Sequence, residues 1–184
     1  NNPNGKYAYL YTLEKKNKAV KNKYETVEEF GKIYKELYKR VLNALRNKKD
    51  DFAVPMYTLL KTYMRVGNEI YYKADGHKGL TTLKKKDIFI EGSNVIFNFI
   101  AKNGVPITIN EKFPLMYIRR LREMMKNLRD SDFVFADEGK PLKDTQFMHA
   151  FEGYCGKRFY PHIVRSYYAT EEAREFLRSH KSAT

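Results

Sequence analysis

The sequence has a single cysteine, Cys155, so no disulfide can form within it. Its first residues do not combine a charged stub, an apolar run and a small-residue cleavage site, as a secretory leader does. No apolar run approaches the roughly 18 residues that a membrane-spanning helix requires. These absences imply a soluble, intracellular protein, in the cytoplasm or nucleus, or in a virion or viral factory if its source is viral. Acidic residues are also in short supply: 22 Asp and Glu stand against 35 Lys and Arg, leaving a net charge of +13. Such an excess suits a polyanion, because lysines and arginines that neutralise phosphates release condensed counterions.

Several routes to catalysis are missing as well. There is no phosphate-cradling GxxxxGK[ST] loop, so ATP is not expected. No His/Cys set has zinc spacing, and the acidic residues form no paired-carboxylate motif that would hold two magnesium ions. A GxSxG elbow and a cysteine-protease signature are both absent. The expectation is that cofactors are none, leaving chemistry carried by arginine, lysine and histidine.

What is present reads as a mainly α protein with a small three-stranded antiparallel β-sheet, an α+β fold. Tyr7, Tyr9 and Tyr11 alternate, predicting a short strand over 5–13, with a loose basic stretch following to Lys23. Thr26 and Glu29 have capping-box spacing, and Val27, Phe30, Ile33, Tyr34, Leu37, Val41 and Leu45 recur at helical intervals after them. A second, more apolar helix is predicted from about Phe52 to Met64, ending at Arg65-Val66-Gly67. Ile88 and Ile90, then Val95, Phe97 and Phe99, then Ile107 and Ile109 predict a three-stranded meander, with Asn103-Gly104 turning a tight hairpin whose lip holds Lys102. Helical spacing returns at Leu115, Ile118, Leu121, Met125 and Leu128, with Arg119, Arg120 and Arg122 mostly around the rest of the circumference. A further helix is expected from Asp144, burying Phe147, Met148, Phe151 and Tyr154 and ending at Gly156. Pro161 then opens His162-Ile163-Val164-Arg165, and a last amphipathic helix is expected from about Thr170.

Arg65-Val66-Gly67-Asn68-Glu69, followed by Gly79-Leu80-Thr81-Thr82-Leu83-Lys84, resembles the signature of type IB DNA topoisomerases, especially their compact poxvirus-like and bacterial branch. Phe99-Ile100-Ala101-Lys102-Asn103-Gly104 is similar to that family's strand-turn-strand, whose usual text is Gly-Lys-Asp. The run from Pro161 to Thr170 resembles the box that supplies a second arginine. These motifs fall in the family's order over most of residues 57–170.

The resemblance implies the tyrosine recombinase/topoisomerase IB catalytic core, and duplex DNA as the partner. It makes Arg65 and Arg165 the clamp on the scissile phosphate, Lys102 the general acid, and His162 a fourth group on that phosphate. His162 stands where close relatives place lysine, and there the pattern is similar to the tyrosine recombinases. Asn68 and Tyr71 fall where the family touches DNA, and Lys73, Lys78 and Lys84 are candidate phosphate contacts. The family's nucleophilic tyrosine lies well downstream of the second arginine, which excludes Tyr167 and Tyr168 and implies a catalytic-domain fragment that binds DNA without cutting it. The expected layout is one catalytic domain over 1–184, truncated at its C-terminus, with 1–24 a basic lead-in from a missing N-terminal domain and 25–184 the core. The parent enzyme would be a monomer needing neither a small-molecule cofactor nor a membrane. The alternatives are a site-specific tyrosine recombinase or integrase, and a DNA-binding fragment that has lost catalysis.

Overall fold

The computed structural model describes residues 3–182, with side chains described for 12–181. The first helix, α1, runs unbroken from Pro3 to Ala44. It is followed by α2 (Ala53–Thr62), α3 (Glu69–Asp75), a sheet of β1 (Ile88–Glu91), β2 (Asn94–Ile100) and β3 (Pro106–Lys112), then α4 (Leu115–Met125). A short ribbon of β4 (Ala136–Asp137) and β5 (Lys140–Pro141) leads to α5 (Asp144–Cys155) and α6 (Ile163–Ser182). The protein is mostly helical with a small antiparallel sheet, the α+β architecture expected. No helix among the described residues is long and apolar enough to cross a membrane.

Several local expectations give way. The tyrosine alternation over 5–13 does not make a strand, because α1 continues through it and onward. Alternation of three aromatics is a short-range signal, and the lysine- and glutamate-rich residues around it are good helix formers. The Thr26/Glu29 spacing is not a cap either. Thr26 lies inside α1, where its hydroxyl donates to the Asn22 carbonyl at 2.8 Å, the back-bond a mid-helix threonine makes. The last two helical segments are also one: α6 runs from Ile163 through Thr170 without a break.

The core forms where the helical stripes meet. Val27, Phe30, Leu37, Val41 and Leu45 of α1 are buried, and Phe30 packs against Phe151, Phe159 and Tyr167. Helix α2 is buried over Ala53–Leu60 and sits between α1 and the sheet. Its buried Thr58 hydroxyl is satisfied by the Val54 carbonyl and by the Tyr117 hydroxyl at 2.6 Å, so no polar atom is stranded there. Arg120 also turns inward. Its guanidinium donates to the carbonyls of Ala44, Leu45 and Asp50, which gives the C-terminal end of α1 a cationic cap. In the sheet, Phe97 pairs with Ile88 on one side and Ile109 on the other, a register that turns Val95, Phe97 and Phe99 inward.

Candidate functional site

Arg65 leaves the end of α2 on a loop that only glycine could build. Gly67 adopts φ +70° and touches Gly79; a Cβ on Gly79 would lie 2.7 Å from both the Arg65 carbonyl oxygen and the Gly67 Cα. The crossing is pinned by backbone bonds from Leu80 to the Arg65 carbonyl (2.8 Å) and from Thr81 to the Val66 carbonyl (2.9 Å). The buried Thr81 and Thr82 hydroxyls bond back to Val66 and Gly79. Arg-x-Gly and Gly-Leu-Thr-Thr-Leu, 14 residues apart in the numbering, are therefore two sides of one backbone knot, and its product is a fixed position for Arg65.

Arg165 reaches the same place from α6. Its guanidinium donates to the Tyr63 carbonyl at 2.6 Å. Tyr63 ends α2 in the left-handed region, φ 59°, a conformation costing a non-glycine residue about 1–2 kcal/mol. Its ring stacks on Tyr168 at 3.8 Å, which places Tyr63 as the residue that seats α6 and orients Arg165. No local sequence signal marks this role, because a tyrosine in that conformation has no characteristic neighbours.

Lys102 stands on the β2–β3 hairpin, where Asn103 (φ 64°) and Gly104 (φ 71°) take the two consecutive positive values that Asn-Gly suits. The base of the hairpin is tied by Lys78, whose backbone N–H donates to the Ile100 carbonyl at 2.8 Å. His162 precedes α6 and is exposed. Arg65, Lys102, His162 and Arg165 all line one cleft of about 640 Å³. A second depression of about 360 Å³ shares Arg65, Lys102 and Arg165 and is walled by Tyr63, Phe99, Ile107 and Ile109.

The electrostatics of the cleft are one-sided. Among the described residues, none of Arg65, Lys102 and Arg165 has an ion-pair partner. Two carboxylates also lie on its wall, Asp75 3.3 Å from the His77 ring and Asp144 accepting from the Thr145 backbone at 2.9 Å, and neither pairs with the three cations. Although its side chain is open to solvent, desolvation by the cleft wall lowers the pKa of His162 below its ordinary 6.5, and the charges of Arg165, Arg65, Lys23 and Lys102 lower it further. Burial and then Arg65 likewise weaken the hold of Arg165 on its proton. At neutral pH the cleft is thus a concentration of cations beside a neutral imidazole, a receptor for an anion with several oxygens.

The other candidate residues separate by environment. Asn68 caps α3, its side chain accepting from the Tyr71 backbone at 2.8 Å, and Tyr71 is exposed on the cleft wall. Lys73 is exposed and pairs with Glu69 at 3.0 Å. Lys78 is committed to Asp87 at 2.7 Å, with both side chains nearly buried, so it braces the scaffold. Lys84 lies over the Tyr72 ring at 5.0 Å and the Phe133 ring at 5.5 Å. Tyr167 and Tyr168 do not line the cleft. Tyr167 packs on Phe30 and Tyr34, while the Tyr168 hydroxyl donates to Glu172, a bond that pushes its pKa up to about 12. Sequence reasoning passed over Tyr63, His77, Asp144 and Tyr160, all of which border one or other depression.

Residues 12–184 match the family described as eukaryotic DNA topoisomerase I, catalytic core. The chain belongs to this family. No individual curated protein matches it. Among solved structures, it is similar to the XerH site-specific recombinase bound to its difH substrate in a pre-cleavage complex. The identity is 14% and the TM-score 0.50, covering 75% of this chain and 41% of that one. A post-cleavage complex of the same recombinase with a palindromic difH substrate gives 16% identity and a TM-score of 0.49, covering 73% and 40%. The chain therefore spans about two fifths of the length of those structures. At 14% identity the first of these likenesses speaks for the fold alone, a mostly helical α+β fold of the recombinase and topoisomerase type.

Proposed function

We propose that the chain is the catalytic region of a type IB DNA topoisomerase of the compact poxvirus-like and bacterial branch, which relaxes supercoiled DNA by cutting and resealing one strand of the duplex. The observation that carries this reading is the cleft itself, where Arg65, Lys102 and Arg165 converge without carboxylate partners beside a neutral His162. In-line attack on a phosphodiester concentrates charge on the non-bridging oxygens, and two planar guanidiniums can each donate paired hydrogen bonds to them. His162, one turn before Arg165, adds a neutral donor to the same oxygens. Lys102 supplies the proton. A tyrosine phenolate, its proton passed to water, bonds through its oxygen to phosphorus as the bond to the 5′ oxygen breaks; the lysine ammonium protonates that oxygen, and the strand stays attached through a 3′ phosphotyrosyl link. Resealing is the reverse, with the 5′ hydroxyl returning its proton. The covalent link retains the bond energy, so the scheme needs no ATP.

The attacking phenol, in this reading, comes from a segment other than α6, because Tyr167 and Tyr168 are held in packing contacts away from the cleft. The layout we favour is a core over 25–184 with 1–24 as lead-in, although the helix itself crosses that boundary. One copy carries the whole set of four groups, which suits a monomer. The His162-x-x-Arg165 box favours a second reading, a site-specific recombinase, whose product would be exchanged strands between two sites.

The test incubates supercoiled plasmid with the chain and looks for duplex binding, relaxation and a protein–DNA adduct that survives denaturation. Salt-sensitive binding without an adduct is expected. An adduct mapped to Tyr167 or Tyr168 overturns the placement of the nucleophile, and loss of all duplex binding overturns the function.

A further inference from the structure

Helix α1 is longer than its core requires. Among its described side chains the first that is buried is Val27, and every residue from Thr12 to Thr26 is exposed. Fifteen residues at ~1.5 Å each give an arm of roughly 22 Å projecting from the globule. A helix of that length with no buried face is marginal in water, so it calls for a surface to lie against. Its charge indicates the sign of that surface: Lys15, Lys16, Lys18, Lys21 and Lys23 stand against Glu14 and Glu25. Its position indicates the place. Lys23, at the root of the arm, contributes to the positive field felt by His162 in the cleft. Lys16, two turns earlier, shares the helix face of Lys23. The far side of α1 is anchored against α6, where Arg174 pairs with Glu28 and meets Tyr24.

We propose that residues 12–25 of α1 form a phosphate-tracking arm, with Lys16 and Lys23 gripping the backbone of duplex DNA where it leaves the cleft. The inference rests on the proposed function, since it takes the anion in the cleft to be a DNA phosphate. Leu13, Val20 and Tyr24 share the neighbouring flank of the helix and are exposed, so a protein surface is the competing occupant.

Binding of a 12-base-pair and a 30-base-pair duplex, measured over a range of salt concentrations, decides between them, each length being about one and three helical turns. The wild type should prefer the longer duplex. Lys16→Ala/Lys23→Ala should remove most of that preference and flatten the slope of log affinity against log salt by about 2, near 0.9 for each phosphate no longer neutralised. Lys16→Arg/Lys23→Arg should restore both. Lys48→Ala/Lys49→Ala, beyond the opposite end of α1, should change neither, and circular dichroism checks that the arm stays helical. Equal slopes and equal length dependence in wild type and Lys16→Ala/Lys23→Ala, with binding retained, sink the arm and leave the cleft standing. If the slope holds while Val20→Asp alone changes the assembly state, the arm faces protein and the proposal is wrong. If the wild type binds neither duplex, the arm and the function fall together.

Discussion

The two arginines and the lysine of the cleft are mounted in opposite ways. Arg65 projects from a glycine crossing that tolerates no Cβ, and Arg165 is held by the carbonyl of a residue in a strained conformation. Lys102 stands on an exposed hairpin, where a Cβ added to Gly104 would come no nearer than 3.7 Å to another group, the His77 imidazole. Groups that must oppose charge on phosphate oxygens gain from being fixed beforehand, since nothing then has to reorganise as the charge develops. A proton donor has to fit only at the moment the leaving group departs, and a hairpin can bring it in.

The contrast breaks most sharply if the arginines turn out to be replaceable. In a cleavage-competent form of the enzyme, Arg165→Ala should slow strand cleavage by about 10³-fold, and Arg165→Lys should recover little, because an ammonium cannot reproduce the paired donors. Lys102→Ala should slow cleavage by about 10²-fold with duplex affinity nearly unchanged. Single-turnover cleavage and equilibrium binding on the same variants separate the two behaviours, and a parallel loss of rate and affinity at Lys102 would make it an ordinary phosphate contact.

Stability probes the same difference. Gly79→Ala forces a Cβ into the Arg65 carbonyl and the Gly67 Cα and should cost about 3 kcal/mol or prevent folding. Gly104→Ala makes only an ordinary 3.7 Å contact with His77 and should cost about 1–2 kcal/mol, the strain of a positive φ. Denaturant melts that ranked the two equally would show the hairpin to be as rigid as the knot.

His162 gives a smaller, pH-dependent effect. Its folded pKa is depressed below 6.5, so the unfolded chain binds its proton more readily and the native state loses stability as pH falls through 6.5 toward the folded value. His162→Gln should therefore lessen the acid-side loss, while bound DNA should raise the imidazole titration seen by NMR, because phosphate offsets the surrounding cations. At the bottom of the scale, Lys73→Ala breaks only an exposed pair with Glu69 and should change stability by no more than about 0.5 kcal/mol.

Much of this was legible beforehand where a short pattern has one physical meaning. The meander, α2, α4 and α5 follow from periodicity and from Asn-Gly, and the Gly156 stop of α5 takes φ 72°. The beginning was misread because three alternating tyrosines mimic a strand, whereas helix formation depends on the whole neighbourhood. Lys78 shows the limit for single residues. As a candidate phosphate contact it looked free, and only the fold brings Asp87 against it.

By itself, the sequence determined which residues carry guanidinium, ammonium and imidazole groups, since these are properties of side chains and their motifs are local. It also determined the positive charge that an anionic partner must meet. Tertiary structure alone decided that Gly67 and Gly79 cross, that the Tyr63 carbonyl aims Arg165, and that Lys102 enters the cleft from a separate hairpin. Each of these is a contact between segments distant in the chain, set by where packed elements end rather than by the residues beside them.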